Sequence, residues 1–197
     1  MLDAQEYLHL AVNATQSGDH HAALSYLHQC LELAPDNANA HYLIGAEYAE
    51  LGLIDRSIEA MEKALSLDSG ILTARFQLGL LYLKTEQYEH AIQHWQTLNE
   101  LKDNPGLATL AQGMIHLAKD EEALAVNYIE RGIELNTLNP ELNDTMQYIL
   151  SLAKKGKEAT AEKQNTSNAE TETEENQDTS DSPLFLGAYK NSKLNDD

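Results

Sequence analysis

Hydrophobic and polar positions between residues 4 and 140 follow the period of a helix. Apolar side chains in residues 41–68, HYLIGAEYAELGLIDRSIEAMEKALSLD, recur three or four positions apart on both sides of Gly52. This spacing indicates amphipathic helices, and Gly52 lies where a tight turn is expected. The stretch therefore predicts two helices joined by a turn.

The same arrangement returns every 34 residues along the chain. One aligned position is small in each unit and another is large and apolar. The small set is Ala11, Gly45, Gly79 and Gly113, and the large set is Leu27, Met61, Trp95 and Ile129. A mid-helix glycine costs about 1 kcal/mol relative to alanine, so we expect a neighbouring helix to approach closely there. A fixed period of this length predicts stacked helical hairpins.

The aligned positions resemble the pattern of the tetratricopeptide repeat family. The second and third units match it best, with Ile44, Gly45 and Tyr48 in one and Leu78, Gly79 and Tyr82 in the other. The first unit is looser, and the fourth carries Gln112 and His116 where Leu and Tyr are usual. The resemblance implies an all-α, right-handed α-solenoid over residues 1–157. Its repeats are expected at about 4–37, 38–71, 72–105 and 106–139, followed by a capping helix over 140–157.

Polar residues at the predicted turns indicate where the second helix of each unit begins. Asp and Thr are good N-caps because their side chains accept hydrogen bonds from the first backbone N–H groups. We therefore expect the caps of the four second helices to be Asp19, Asp55, Thr85 and Asp120.

The composition changes after the capping helix. Residues 158–182 contain no large apolar side chain, so they cannot offset the entropy of ordering and predict a disordered acidic linker. The following tail, residues 183–197, begins PLFLGAY. Four bulky residues reappear there and predict a docking motif: Leu184, Phe185, Leu186 and Tyr189. The alternative is an accidental sticky terminus.

The formal net charge of −19 restricts the class of partner. Residues 1–152 hold 7 Lys and Arg against 22 Asp and Glu. Such a surface repels nucleic acid and anionic membranes and favours neutral or basic protein partners, although it could serve solubility alone. The single Cys30 argues for a reducing compartment, and the amino-terminal stretch lacks the pattern of a signal or a membrane span. A cytoplasmic protein without membrane insertion is expected.

The first helix of each unit carries a second apolar stripe, which we call the groove stripe. Its residues are Leu8, Val12, Tyr42, Ala46, Ala49, Phe76, Leu80, Leu83, Leu110, Met114 and Leu117. The resemblance implies that this stripe lines a concave groove, where it would contact an apolar peptide or amphipathic helix of another protein, or the chain's own tail. The alternative is that the stripe widens the core between repeats. A grip on a partner's terminal carboxylate is not expected, because only Lys84 brings a positive charge beside the stripe.

Candidate chemistry is sparse. His90 and His94 lie one helical turn apart and could face one metal ion, but a zinc site needs three or four ligands, so exposed histidines are expected instead. Motifs for phosphate binding or nucleophilic catalysis are missing. The sequence predicts no enzyme, no metal and no cofactor. It predicts an adaptor or scaffold, with a chaperone-like holder or a structural subunit of an oligomer as alternatives.

Overall fold

The structure is a computed structural model that describes the backbone of residues 2–165 and the side chains of residues 2–154. Within that range the chain forms nine helices and no strand. The helices are α1 Ala4–Gln16, α2 His20–Leu33, α3 Ala38–Glu50, α4 Ile54–Leu67, α5 Leu72–Lys84, α6 Tyr88–Asn99, α7 Pro105–Ala118, α8 Glu122–Leu135 and α9 Pro140–Asn165. Each packs chiefly against its neighbours in sequence, so α1–α8 stack as four hairpins. The predicted all-α solenoid is confirmed.

The mid-helix glycines lie where the two helices of a hairpin touch. A Cβ added at Gly79 would lie 2.4 Å from Nε1 of Trp95. At Gly45 it would lie 2.7 Å from Cγ of Met61, and at Gly113 2.6 Å from Cγ1 of Ile129. The small and large positions of the 34-residue period are therefore one contact repeated, in which a large side chain fills the space that a side chain would need.

The turn inside each hairpin also repeats. One residue per turn adopts the left-handed conformation, and these residues are 34 apart: Gly18, Gly52, Glu86 and Asp120, with φ of 73°, 73°, 60° and 61°. Glycine takes this conformation freely, whereas the side chains at positions 86 and 120 add strain. The turn geometry is thus set by the fold and is kept without glycine in the last two hairpins.

This turn explains why three of the four predicted caps are wrong. The N-cap is the residue that directly follows the left-handed one, and only Asp19 is a predicted cap, with its side chain accepting from the N–H of Ala22. The other N-caps are Leu53, Gln87 and Glu121, and their side chains make no capping bond. Asp55 lies in the first turn of α4, Thr85 ends α5, and Asp120 is the left-handed residue itself.

The fourth hairpin is well formed although its sequence match is weak. No residue between 106 and 118 of α7 is fully exposed. Two glycines allow α7 and α8 to pack closely: a Cβ on Gly106 would lie 2.6 Å from Cα of Asn136, and one on Gly132 would lie 2.6 Å from Cδ2 of Leu110. Helix α7 is therefore a buried helix that is apolar on nearly every side.

Helix α9 is longer than the predicted capping helix. It continues to Asn165, eight residues into the segment predicted as a disordered linker from residue 158. The extra segment is rich in Ala, Glu, Lys and Gln, which favour helix without needing a core. The start of α9 is anchored on α8, where Nδ2 of Asn143 donates to the backbone oxygen of Asn136 at 3.1 Å. Residues 166–182 and the tail motif lie outside the described residues.

Candidate protein-binding site

The groove stripe lies mostly inside the protein. Nine of its eleven side chains are buried, none of them more than 8% exposed, and only Leu83 and Leu117 are partly exposed. The buried members are Leu8, Val12, Tyr42, Ala46, Ala49, Phe76, Leu80, Leu110 and Met114. The expectation that the whole stripe is exposed is therefore wrong, and a partner could reach only its rim unless the cover moves.

The middle of the stripe is tied to the core by Trp95. The indole N–H of Trp95 donates to the backbone oxygen of Phe76 at 3.1 Å, and the two ring centroids lie 6.2 Å apart. Because Gly79 leaves room for the indole, the fully buried Trp95 lies directly behind Phe76. As the only tryptophan of the chain, it reports on this part of the stripe.

The beginning of α9 lies beside the same part of the stripe. Asn139 and Leu142 line one small cavity together with three residues of α5, namely Thr73, Phe76 and Gln77. Leu142 belongs to the buried face of α9, with Met146 and Leu150. The last helix thus touches the third repeat as well as α8, next to Phe76.

The two predicted metal-facing histidines pack on an aromatic ring instead. The rings of His90 and His94 stack on Tyr82, with centroids 5.1 and 5.6 Å from it, and the Tyr82 hydroxyl donates to Glu62 at 2.5 Å. His90 is exposed as expected, whereas His94 is half-buried. Burial lowers the pKa of His94, and the positive charge of Arg75 adds to this. No group of three potential metal ligands occurs among the residues whose side chains are described.

The next repeat has the same stack with its partners exchanged. His116 aligns with Tyr82 at 34 residues and Tyr128 aligns with His94, and their rings lie 5.0 Å apart. Nδ1 of His116 also lies 2.5 Å from Glu121. We find these stacks only in the structure, although the paired aromatic and histidine positions in the 34-residue alignment were a signal for them.

A buried carboxylate is a second feature that sequence analysis missed. Glu47 of α3 is fully buried, accepts a hydrogen bond from the Thr15 hydroxyl, and lies 2.7 Å from Nδ1 of His20. These three residues join the first repeat to the second. The available signal was the 34-residue alignment, which places Glu47 at the position of Leu81 and Ile115.

The outer side of the second repeat bears an open cleft. It is lined by His41, Tyr48, Arg56, Glu59, Ala60 and Lys63. The Arg56 guanidinium lies 5.9 Å from the Tyr48 ring centroid, which is within the range of a cation–π contact. The cleft mixes charges of both signs, so it specifies no ligand.

Sequence comparison agrees with the fold. The family model of the tetratricopeptide repeat matches residues 4–37, 38–70 and 72–104, about half of the chain. The chain belongs to the tetratricopeptide repeat family. The three matched units are the first three hairpins, and the fourth, which the structure also contains, is the one with the unusual Gln112 and His116.

Individual similarities are distant. The chain is 25% identical over 118 residues to anaphase-promoting complex subunit 3 of Schizosaccharomyces pombe, and this match covers 60% of the chain but only 18% of that protein. PilF of Pseudomonas aeruginosa superposes with a TM-score of 0.60 at 23% identity, over 74% of this chain and 68% of that one. YrrB, described as a tetratricopeptide repeat protein with an unusual peptide-binding site, gives 0.57 at 23% identity, over 77% and 79%. The solved structures establish the fold alone.

Membership of the family has a general functional meaning. Tetratricopeptide repeat proteins mediate protein–protein interactions and are typically non-enzymatic scaffolds. Between residues 2 and 165, the chain has no helix with the length and hydropathy needed to span a membrane.

Proposed function

We propose that the protein is an adaptor whose groove stripe binds an apolar peptide or an amphipathic helix of a partner protein. The observation that supports this most directly is the continuity of the stripe, which places apolar side chains at matching positions of all four A helices, α1, α3, α5 and α7. Leu83 and Leu117 form its partly exposed rim. An incoming apolar segment would make its first contact there.

The energy of such binding would come from apolar burial. A large side chain that moves from water into the stripe contributes about 1.5 to 3 kcal/mol before the costs of association and ordering. Three or four such anchors would suffice for a specific complex. Since nine stripe residues are buried, binding must first displace what covers them. YrrB, whose description names a peptide-binding site, supports peptide binding by analogy of fold only.

Charge and thiol chemistry narrow the setting of this adaptor. The acidic surface favours a neutral or basic partner and disfavours nucleic acid. Cys30 is fully buried, and burial raises the pKa of its thiol, so the reactive thiolate is suppressed. We propose a cytoplasmic location, where a single reduced thiol is stable.

Site-specific photo-cross-linking in native cell extract tests this function. A photoreactive amino acid replaces Leu83 at the rim of the stripe in the full chain. The matched control carries it at Leu138, a leucine that is 72% exposed and outside the stripe. We expect an adduct with another protein from position 83 that position 138 does not give, and mass spectrometry should place it in an apolar segment. Identical adducts from both positions, or none from position 83, would contradict the proposal.

A further inference from the structure

We infer that the groove stripe has a resting occupant in this same chain, the apolar tail motif at residues 183–189. This inference rests on the proposed function, because it assigns the regulation of the same surface. The tail would act as an internal ligand that a partner has to displace.

The first argument is the burial of the stripe. Each A helix packs chiefly against the helices before and after it in sequence, and those contacts use the faces that carry the conserved-size positions such as Gly45 and Gly79. Tyr42 and Phe76 lie on a different face, yet only 1% of each is exposed. Leu142 of α9 meets Phe76 at one place. A stripe that runs over four repeats needs a longer apolar cover than this contact provides.

The second argument is complementarity. After residue 165, Leu184, Phe185, Leu186 and Tyr189 are the only cluster of bulky apolar residues. Two lysines follow, Lys190 and Lys193, and residues 183–195 contain no acidic residue. The folded repeats hold 22 acidic against 7 basic residues up to position 152, so the motif offers apolar anchors to the stripe and positive charge to the acidic surface around it.

The third argument is reach. Leu142 lies beside Phe76, so α9 leaves the stripe at a known place. A helix from residue 142 to residue 165 carries the chain at most about 35 Å away. The 18 residues from 166 to 183 span roughly 23 Å as a flexible coil and roughly 60 Å when fully extended. The motif can therefore return to Phe76 without strain.

Docking within one chain has a quantitative consequence. A motif on a short flexible tether acts at an effective concentration on the order of 1 mM. An external peptide that binds the free stripe with a dissociation constant of about 0.1 mM would then bind the intact protein about tenfold more weakly. The tail thus sets a threshold that only a partner with more or better apolar anchors would pass.

A peptide-binding measurement on the full chain tests this inference. The probe is a fluorescent synthetic peptide with the sequence of residues 182–193, and fluorescence anisotropy reports its binding. The proteins are the unchanged chain, the double variant Phe185→Asp/Leu186→Asp, and the control Leu194→Asp, which changes a tail leucine outside the motif. We expect the double variant to bind the peptide about tenfold more tightly than the unchanged chain, and the control to behave like the unchanged chain.

A second substitution places the peptide on the stripe. Leu83→Glu in the double variant should weaken peptide binding at least fivefold, whereas Leu138→Glu should leave it unchanged. The inference is overturned if the peptide binds no variant, if it binds all of them equally, or if Leu138→Glu weakens it as much as Leu83→Glu. The proposed function fails separately, since the adduct between position 83 and another protein forms or does not form whatever the tail peptide does.

Discussion

The junction between the first two repeats and the junction between the second and third use equivalent positions in opposite ways. At the first junction the positions hold Thr15, His20 and Glu47, and 34 residues later they hold Ala49, Ile54 and Leu81. Glu47 and Leu81 are both fully buried. One backbone arrangement therefore accepts a polar set at one junction and an apolar set at the next.

Glu47 is tolerated because its oxygens have partners. Thr15 donates to one carboxylate oxygen, and the other lies 2.7 Å from Nδ1 of His20, whose side chain is 31% exposed. A buried carboxylate without partners costs several kcal/mol, so the three residues stand or fall together. Leu81 needs only apolar neighbours.

The difference suggests a role in register. Four similar hairpins could in principle stack one unit out of step, since their apolar contacts repeat. A polar set that is complete at one junction only would penalise such a slip, because Glu47 would then face Ala49 or Leu83 in place of Thr15. Buried polar groups fix register in this way in some coiled coils, and here it is a hypothesis that substitutions can test.

The largest effect is expected from Leu81→Glu. This change places a charge at the apolar junction with no hydrogen-bonding partner, and it should lower the free energy of unfolding by about 4 kcal/mol or more. Urea unfolding followed by circular dichroism measures it. Leu53→Glu, at a leucine that is 41% exposed, is the control and should change stability by about 0.5 kcal/mol or less.

The comparison is sharpened by rebuilding the polar set at the second junction. Adding Ala49→Thr and Ile54→His to Leu81→Glu should recover more than about 1 kcal/mol, because the carboxylate regains both of its partners. If the triple variant were no more stable than Leu81→Glu alone, the surroundings of Glu47 would differ from those of Leu81 in more than these residues.

A smaller effect is expected from removing one partner of Glu47. His20→Ala leaves a fully buried carboxylate with the Thr15 bond alone and should cost about 2 kcal/mol, less than for a pair that is buried on both sides. In the background Glu47→Leu the same change should cost about 0.5 kcal/mol or less. Equal costs in both backgrounds, measured as a double-mutant cycle, would show that His20 acts independently of Glu47.

The sequence predicted the fold well where one physical effect dominated. The 34-residue period of small and large positions predicted the hairpins, because packing between Gly79 and Trp95 leaves little freedom. The caps failed because a left-handed residue at position 52, 86 or 120 moves the helix start to the next residue. Composition also underestimated α9, since residues 158–165 favour helix by propensity and not by a buried face.

The site was harder to predict. Apolar spacing located the groove stripe, but spacing does not distinguish a face that binds a partner from one that is already covered, as Phe76 and Met114 show. Glu47 was hidden for a related reason: a charged residue in a helix is usually exposed, and only the partners Thr15 and His20, 32 and 27 residues earlier, make its burial acceptable. Contacts between repeats decide such cases.

The smallest effect concerns Tyr82, which bonds the carboxylate that joins the second and third repeats at the surface. Glu62 is exposed and accepts from the Tyr82 hydroxyl, so Tyr82→Phe should cost about 1 kcal/mol or less at neutral pH. Burial raises the pKa of Tyr82 to about 12, and the bond and charge of Glu62 add to this. The phenol ionises near pH 10 in the unfolded chain, so the stability that Tyr82 contributes is complete below about pH 10 and is lost as the pH rises towards 12. The unchanged chain should therefore lose more stability than Tyr82→Phe over this interval. Ultraviolet titration of the folded protein should show one tyrosine that ionises last and disappears in Tyr82→Phe, and its persistence in that variant would assign the late ionisation to another tyrosine.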